Sequence, residues 1–279
     1  MRFGVHVSIK DSLDSAVDNA IEEKCDAFQI FTRNPRGWKF SALEKDEVNK
    51  FRDKLQQSGL HPAVTHMPYL PNLSCPDQEM YDKSVSSLIS EVDRCVELGI
   101  PYLVIHLGSH LGMGREIGLR HISGALNQAT KHAKGNFQIC LENMAGQNNS
   151  MGSKFEEVRE IYDSVKQKDR IAVCLDTCHA YAAGYDLHVG KAVEKTFAKF
   201  DEIIGFENLK VLHLNDSENG LGSGLDRHQH IGMGYIGTSG FKAILHYKAV
   251  RELPGILETP IDDRRGNGNN LETVRRLAK

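Results

Sequence analysis

The chain has 279 residues, of which 40% are hydrophobic and 25% charged, the composition of an ordinary globular protein with one large α/β domain or two small ones. Its formal net charge of -3 argues against a globally basic nucleic-acid binder, although basic charge can be local and bound cations would raise the potential at a site. No apolar run approaches the roughly 18–20 residues of a membrane span, and the start MRFGVHVSIKD has no secretory h-region, so a cytosolic (cytoplasmic) protein is expected.

Taken in chain order, the predicted elements alternate. RFGVHVS reads as a first strand, and DSLDSAVDNAIEEK has helical spacing with Asp11 or Ser12 as its N-cap. DAFQIF is a second strand, followed by the loop TRNPRGWKFSA and a helix near 44–58 that Gly59 caps. PAVTH is a third strand, and a long helix near 77–98 ends at Gly99. PYLVIH comes next, with a helix near 115–133 behind it. FQICLE, a helix near 154–167, IAVCLD, a helix near 188–203 and KVLHLN continue the pattern. Helices near 238–247 and 270–278 bracket GILE. Near-continuous apolar strands alternating with helices argue for a parallel sheet under helices. Eight such pairs predict an α/β fold, a (β/α)8 TIM barrel, as a single domain over 1–279. No G-x-G-x-x-G follows the first strand, and there is no P-loop. The six cysteines (Cys25, Cys75, Cys95, Cys140, Cys174 and Cys178) form no CxxC pair, and reduced thiols are expected.

The informative feature is where the metal-type ligands fall. His66, His106, Glu142, Asp176, His213 and Glu258 each end an apolar run, one after another: AVTH, YLVIH, FQICLE, IAVCLD, KVLH and GILE. The active site of such a barrel lies at the strand C-termini, so these side chains would share one rim. LDTCH adds His179, three residues after Asp176, and LDRHQH adds Asp226 and His228, two apart and on one side of an extended segment. Four carboxylates and five imidazoles suit Zn²⁺, with Mn²⁺ or Fe as other choices. Nine ligands exceed the needs of one tetrahedral ion, and two or three ions sharing a bridging carboxylate fit the count better.

Blander roles exist for each residue. A lone strand-end histidine is more often a hydrogen-bonded core residue, and an aspartate in DTCH could cap the following helix. Numbers weaken that reading, because six successive ligand-type ends without Lys or Arg beside them would be costly without cations. His61, His110, His121, His132, His188 and His246 read as surface or helix residues. His6 could orient a ligand or a water from the first strand, and His230 is a reserve ligand with the parity of His228. The glycines of NGLGSGLDRH and IGMGYIG read as allowing tight turns.

Together, GVHVS, FTRNPRGW, HMPYLPNL, ENMAGQ, LDTCHAYAAGYD, HLNDSENGLGSGLDRHQHIGMGYIG and LETP resemble the endonuclease IV family of apurinic/apyrimidinic endonucleases along essentially the whole chain. The resemblance implies a zinc-dependent barrel that hydrolyses the phosphodiester 5′ to abasic sites in double-stranded DNA, leaves a 3′-hydroxyl and trims blocked 3′ ends. It implies three zinc ions, with Mn possible at one site. His66, His106 and Glu142 would hold one. Glu142 would bridge to a second, shared with Asp176, His213 and Glu258. His179, Asp226 and His228 would hold the third, which selects His228 over His230. Glu142 would also orient or deprotonate the attacking water. Arg36, Tyr69 and Leu70 match the side chains that enter the gap in the DNA, and Trp38 would pack beneath the Arg36 loop. The chain departs from the usual pattern at Gly224, Met67, Pro68 and the tail DDRRGNGNNLETV, positions that bear on DNA contact and substrate preference. A monomer is expected. The main rival is a metal-dependent sugar isomerase or epimerase on the same barrel, which has no obvious use for His179, Asp226 and His228. A zinc-stabilised DNA-binding module would instead be cysteine-rich and closed.

Overall fold

A computed structural model describes residues 1–39, 41–132 and 134–279. Phe40, in the expected loop TRNPRGWKFSA, and Ala133, at the end of the helix expected near 115–133, lie outside the described residues.

The apolar runs form the strands β1 (Arg2–Val5), β2 (Phe28–Ile30), β3 (Ala63–His66), β4 (Tyr102–His106), β5 (Gln138–Glu142), β6 (Ile171–Asp176) and β7 (Leu209–His213). Two two-residue strands, β8 (Asp216–Ser217) and β9 (His228–Gln229), pair antiparallel within the loop after β7, and β10 (Pro254–Leu257) follows. The helices are α1 (Ser15–Glu22), α2 (Lys45–Ser58), α3 (Gln78–Leu98), α4 (Arg115–His132), α5 (Phe155–Ser164), α6 (Thr177–Ala182), α7 (Gly190–Ile203), α8 (Gly237–His246) and α9 (Asn267–Leu277). The long strands form one parallel sheet in the order β1-β10-β7-β6-β5-β4-β3-β2. Its two ends meet where His6 bridges Gln29 and the Val7 N–H donates to the Gln29 carbonyl at 2.9 Å. The expected eight-stranded TIM barrel is the observed fold.

Closure depends on a glycine. A Cβ at Gly4 would lie 1.8 Å from the Ala27 carbonyl oxygen, so no larger residue lets β1 pass that close to the start of β2. Gly59 and Gly99 end α2 and α3 in the left-handed region, at φ 73° and 72°, where a Cβ is disfavoured.

Two layers of apolar side chains follow from the period of two along each strand. Outward-facing residues such as Phe28, Leu103, Leu141 and Leu212 join the large core between barrel and helices. Inward-facing Ala27, Val64, Val104, Cys140, Cys174, Val211 and Ile256 fill the barrel as a separate small cluster. Fully burying an apolar side chain of Val or Leu size contributes about 1.5–3 kcal/mol, so this plug gives the rim above it a rigid floor. Two residues further along each strand comes the rim.

Several boundaries differ from the sequence expectation. The first helix begins at Ser15 with Asp14 as N-cap, not at Asp11 or Ser12, and Ser12 Oγ instead accepts the Ser15 N–H at 3.2 Å. The helix expected to 167 stops at Ser164, ahead of a short 3-10 turn. The six-residue α6 was not expected as a separate element. No described helix is long and apolar enough to cross a membrane.

Candidate metal centre

The parity that fills the barrel also loads its rim. Counting two residues on from each inward plug residue gives Gln29, His66, His106, Glu142, Asp176, His213 and Glu258, and Gly4 gives His6. Parallel register levels them: His106 pairs with Glu142 across β4 and β5, and Asp176 with His213 across β6 and β7.

The nine candidate ligands fall into three groups, in each of which one ligand atom per residue lies within 4.8 Å of the others: His66/His106/Glu142, Glu142/Asp176/His213/Glu258 and His179/Asp226/His228. Glu142 belongs to two of them. Its Oε2 is 3.2 Å from both His66 Nε2 and His106 Nε2, while its Oε1 is 2.9 Å from His213 Nδ1. His213 Nδ1 is also 3.3 Å from Glu258 Oε2. In the third group, Asp226 Oδ1 lies 3.1 Å from His179 Nε2 and 3.3 Å from His228 Nε2. Asp226 comes from the loop between β8 and β9, and that small hairpin aims His228 inward.

Hydrogen bonds on the far side of four of the five rings fix which nitrogen faces the centre. The Nδ1–H groups of His66, His179 and His228 donate to the carbonyls of Met67 (2.7 Å), Asn143 (2.9 Å) and Glu258 (3.1 Å). His213 donates through Nε2 to Gln29 Oε1 at 2.9 Å. Each ring then presents a lone pair toward carboxylate oxygens, an arrangement that calls for a cation between them. His179 Nε2 and His228 Nε2 are buried without a hydrogen-bond partner. Orphaned nitrogens beside Asp226, together with the N/O donor set, fit a metal ion.

The clustered carboxylates and imidazoles shift one another's titration. Burial pushes the His179 and His213 imidazoles down, but the surrounding groups outweigh it (Asp176 first for His179, Cys174 first for His213), and both end well above 6.5. Burial pushes the Glu142 carboxyl up, yet His213 and His106 bring it well below 4.5. Burial likewise opposes Asp226, which the adjacent His179 imidazole draws down to about 2.

Other buried side chains hold the ligands. Gln29, fully buried on β2, donates to Glu258 Oε1 at 2.6 Å and to His6 Nδ1 at 3.0 Å while accepting from His213. His6 thereby stands beside the Glu258 carboxylate, 3.7 Å from its Oε1. Asn143 Oδ1 accepts the Asp176 N–H at 2.7 Å. Asn215 donates to Asp176 Oδ2 at 2.7 Å and accepts the Glu258 N–H at 2.8 Å. Asp176 also caps α6, its Oδ1 accepting the His179 N–H at 2.8 Å, which leaves Oδ2 as the oxygen free of the cap. Buried Asp216 accepts the N–H groups of Gly232, Gly234 and Ile236, which explains the tight IGMGYIG turns. Sequence reasoning did not single out Gln29, Asn143, Asn215 or Asp216. The signal for Gln29 was an amide inside the apolar run DAFQIF at ligand parity.

His230 is not in the centre: its Nε2 pairs with Asp262 Oδ1 at 3.0 Å and its Nδ1 accepts from Asn270. The strand β9 ends at Gln229, so the parity that aims His228 inward does not carry on to His230. His110, His121, His132, His188 and His246 bond to groups outside the centre, and His61 is exposed. Tyr69 is 61% and Leu70 39% exposed, and Arg36 stands exposed on the loop after β2. The Phe31 ring packs edge-on against both Tyr69 and His66, with centroids 5.1 and 5.8 Å apart. A cavity of about 290 Å³ lies over the centre, with His106, His179, Asp226, Glu258 and Tyr69 in its wall. A groove of about 990 Å³ adjoins it through His6, Ile261 and Asn267.

A closed parallel barrel with grouped His and carboxylate side chains at its C-terminal rim defines the class, a (β/α)8 barrel with candidate metal-ligand groups. Residues 17–279 match the family described as xylose isomerase-like TIM barrel. The chain is 50% identical over 280 residues to "Probable endonuclease 4" of Nitrosopumilus maritimus (strain SCM1), covering all of both chains. The crystal structure of endonuclease IV from Thermus thermophilus superposes with a TM-score of 0.88 at 36% identity, covering 99% of this chain and 98% of that one. A D-tagatose 3-epimerase-like protein, at 20% identity and a TM-score of 0.76 over 99% of this chain and 96% of that one, shares the fold alone. The chain belongs to the endonuclease IV family.

Proposed function

We propose that this chain is a DNA-repair hydrolase that cleaves the phosphodiester 5′ to abasic sites in double-stranded DNA, leaving a 3′-hydroxyl, and also trims blocked 3′ ends. One observation carries the reading. The His179/Asp226/His228 group stands beside the two groups joined by Glu142, and a sugar isomerase or epimerase has no use for it. We assign zinc to the three groups, with manganese as an alternative at one, because imidazole and carboxylate donors suit these ions.

Bound ions would supply Lewis acidity, lowering the pKa of a water and offsetting phosphate charge. The protein's part follows from its own side chains. Glu142, buried and ionised between two groups, orients or deprotonates the attacking water. Asn143, Asn215 and Gln29 hold the carboxylates and imidazoles at fixed angles, so little reorganisation accompanies the reaction. Tyr69 and Leu70 stand exposed near the cavity, where an apolar wedge could enter the gap left by a missing base. Arg36 adds a cation for the phosphate backbone. The lost stacking at an abasic site lowers the cost of extruding the sugar, and this selects the substrate. The enzyme acts as a monomer in the cytoplasm, where it reaches chromosomal DNA.

The test is incision of a duplex carrying one abasic site, with and without a zinc chelator. A cut 5′ to the site that the chelator abolishes supports the reading. An uncut duplex under every metal condition sinks it.

A further inference from the structure

The described residues of the loop between β2 and α2 form no helix or strand, yet its ends are tied from beneath by buried charge. Glu91, fully buried on α3, accepts from Thr32 Oγ1 and from Arg33 Nε, both at 2.6 Å. Arg94, one turn along α3, donates to Thr32 Oγ1 at 2.8 Å and to the Thr32 carbonyl at 2.5 Å. Its other terminal nitrogen donates to the Ser41 carbonyl at 2.9 Å. One guanidinium thus joins the two ends of the loop. Arg33 closes it further by donating to the Gly37 carbonyl at 2.9 Å and to Ser87 Oγ at 2.6 Å. Arg36 lies inside the span so pinned, its own N–H donating to Asn34 Oδ1.

Burying two guanidiniums and one carboxylate is costly and contributes little net stability compared with apolar packing. What such a network provides is a single geometry, with each donor aimed at a stated carbonyl, carboxylate or hydroxyl oxygen. We infer that Glu91, Arg94 and Thr32 are positioning residues, which hold the loop in the conformation that presents Arg36 to DNA and so spare the cost of ordering it on binding. The inference rests on the abasic-DNA reading above. These residues touch no metal-ligand group, so they act on substrate affinity and leave the chemistry alone.

The experiment compares wild type, Arg36→Ala, Glu91→Gln and the double variant. It reads KM and kcat on an abasic duplex, metal per chain and the thermal midpoint. Glu91→Gln keeps the shape but removes the charge that gathers Arg33 and Thr32. It is expected to raise KM about tenfold, with kcat and metal content unchanged. In the Glu91→Gln background, Arg36→Ala should add much less to KM than it does alone, a coupling that general loss of stability would not produce. Thr32→Val, which deletes only one hydroxyl, replaces Glu91→Gln if the latter does not fold, and the same outcomes apply. Fully additive KM effects, an unchanged KM, or a fall in kcat alone overturns the inference while leaving incision itself intact. A wild-type chain that cuts no abasic duplex overturns the functional reading and takes this inference with it.

Discussion

Replacing Gln29 with leucine is expected to weaken one metal group selectively. Gln29 accepts from His213 at 2.9 Å and donates to Glu258 at 2.6 Å, and both belong to the group completed by Glu142 and Asp176. Outer partners of this kind are typically worth about 10–100-fold in metal affinity. Taking about tenfold for each of the two ligands gives about 100-fold, or about 2.8 kcal/mol. The His179/Asp226/His228 group has no contact with Gln29 among its bonds and should keep its ion. Each buried group left unpaired would also cost about 1–3 kcal/mol, so the thermal midpoint should fall by several degrees. The assay is metal release to a coloured chelator from purified protein, alongside total metal content and circular dichroism to confirm the fold. Loss of about one ion per chain from the weakest class is the expected result. Unchanged content and an unchanged release profile in a folded variant would refute the orienting role.

Glu142→Gln should lower incision by about 10²- to 10⁴-fold, because the amide cannot accept the water's proton and binds ions more weakly. Near-wild-type nicking by this variant, measured at saturating zinc, would remove Glu142 from its assigned role. A pH dependence follows from the shifted groups. His179 and His213 lie well above 6.5 in the metal-free fold, so their stabilisation is complete below about 6.5 and is lost as pH rises through the raised values. Glu142 and Glu258 lie well below 4.5, so theirs is present above about 4.5 and is lost as pH falls through the depressed values. The stripped protein should therefore be most stable from about 4.5 to above 6.5 and weaken on the alkaline side, whereas zinc, replacing the protons, should remove the alkaline loss. Thermal midpoints of both forms across pH test this, and a stripped protein that gains stability as pH rises past the histidines would contradict it.

Much of the fold and of the candidate ligand groups was legible because one physical rule wrote both. A strand buried on two faces is a continuous apolar run, and its last inward residue must be whatever the rim needs, so AVTH or YLVIH announces strand and ligand together. Gln29 obeys the same parity, but an amide is not a metal-type side chain, and its partners Glu258 and His213 are 229 and 184 residues away. Asp176 invited a choice between cap and ligand that the two oxygens of a carboxylate make unnecessary. His230 misled because period two continues only while the chain stays extended, and β9 is two residues long. The Thr32, Glu91 and Arg94 network was invisible for another reason: its members sit 59 and 62 residues apart, on a loop and a helix brought together by the pairing of β2 with β3.

The most direct test of the central claim is a zinc titration of the metal-stripped protein, following incision of a duplex with a single abasic site. The three ligand groups predict that cutting 5′ to that site rises to its maximum only as zinc approaches one ion per group, three in all. Full activity at one ion per chain, or cutting by the stripped protein, would contradict it.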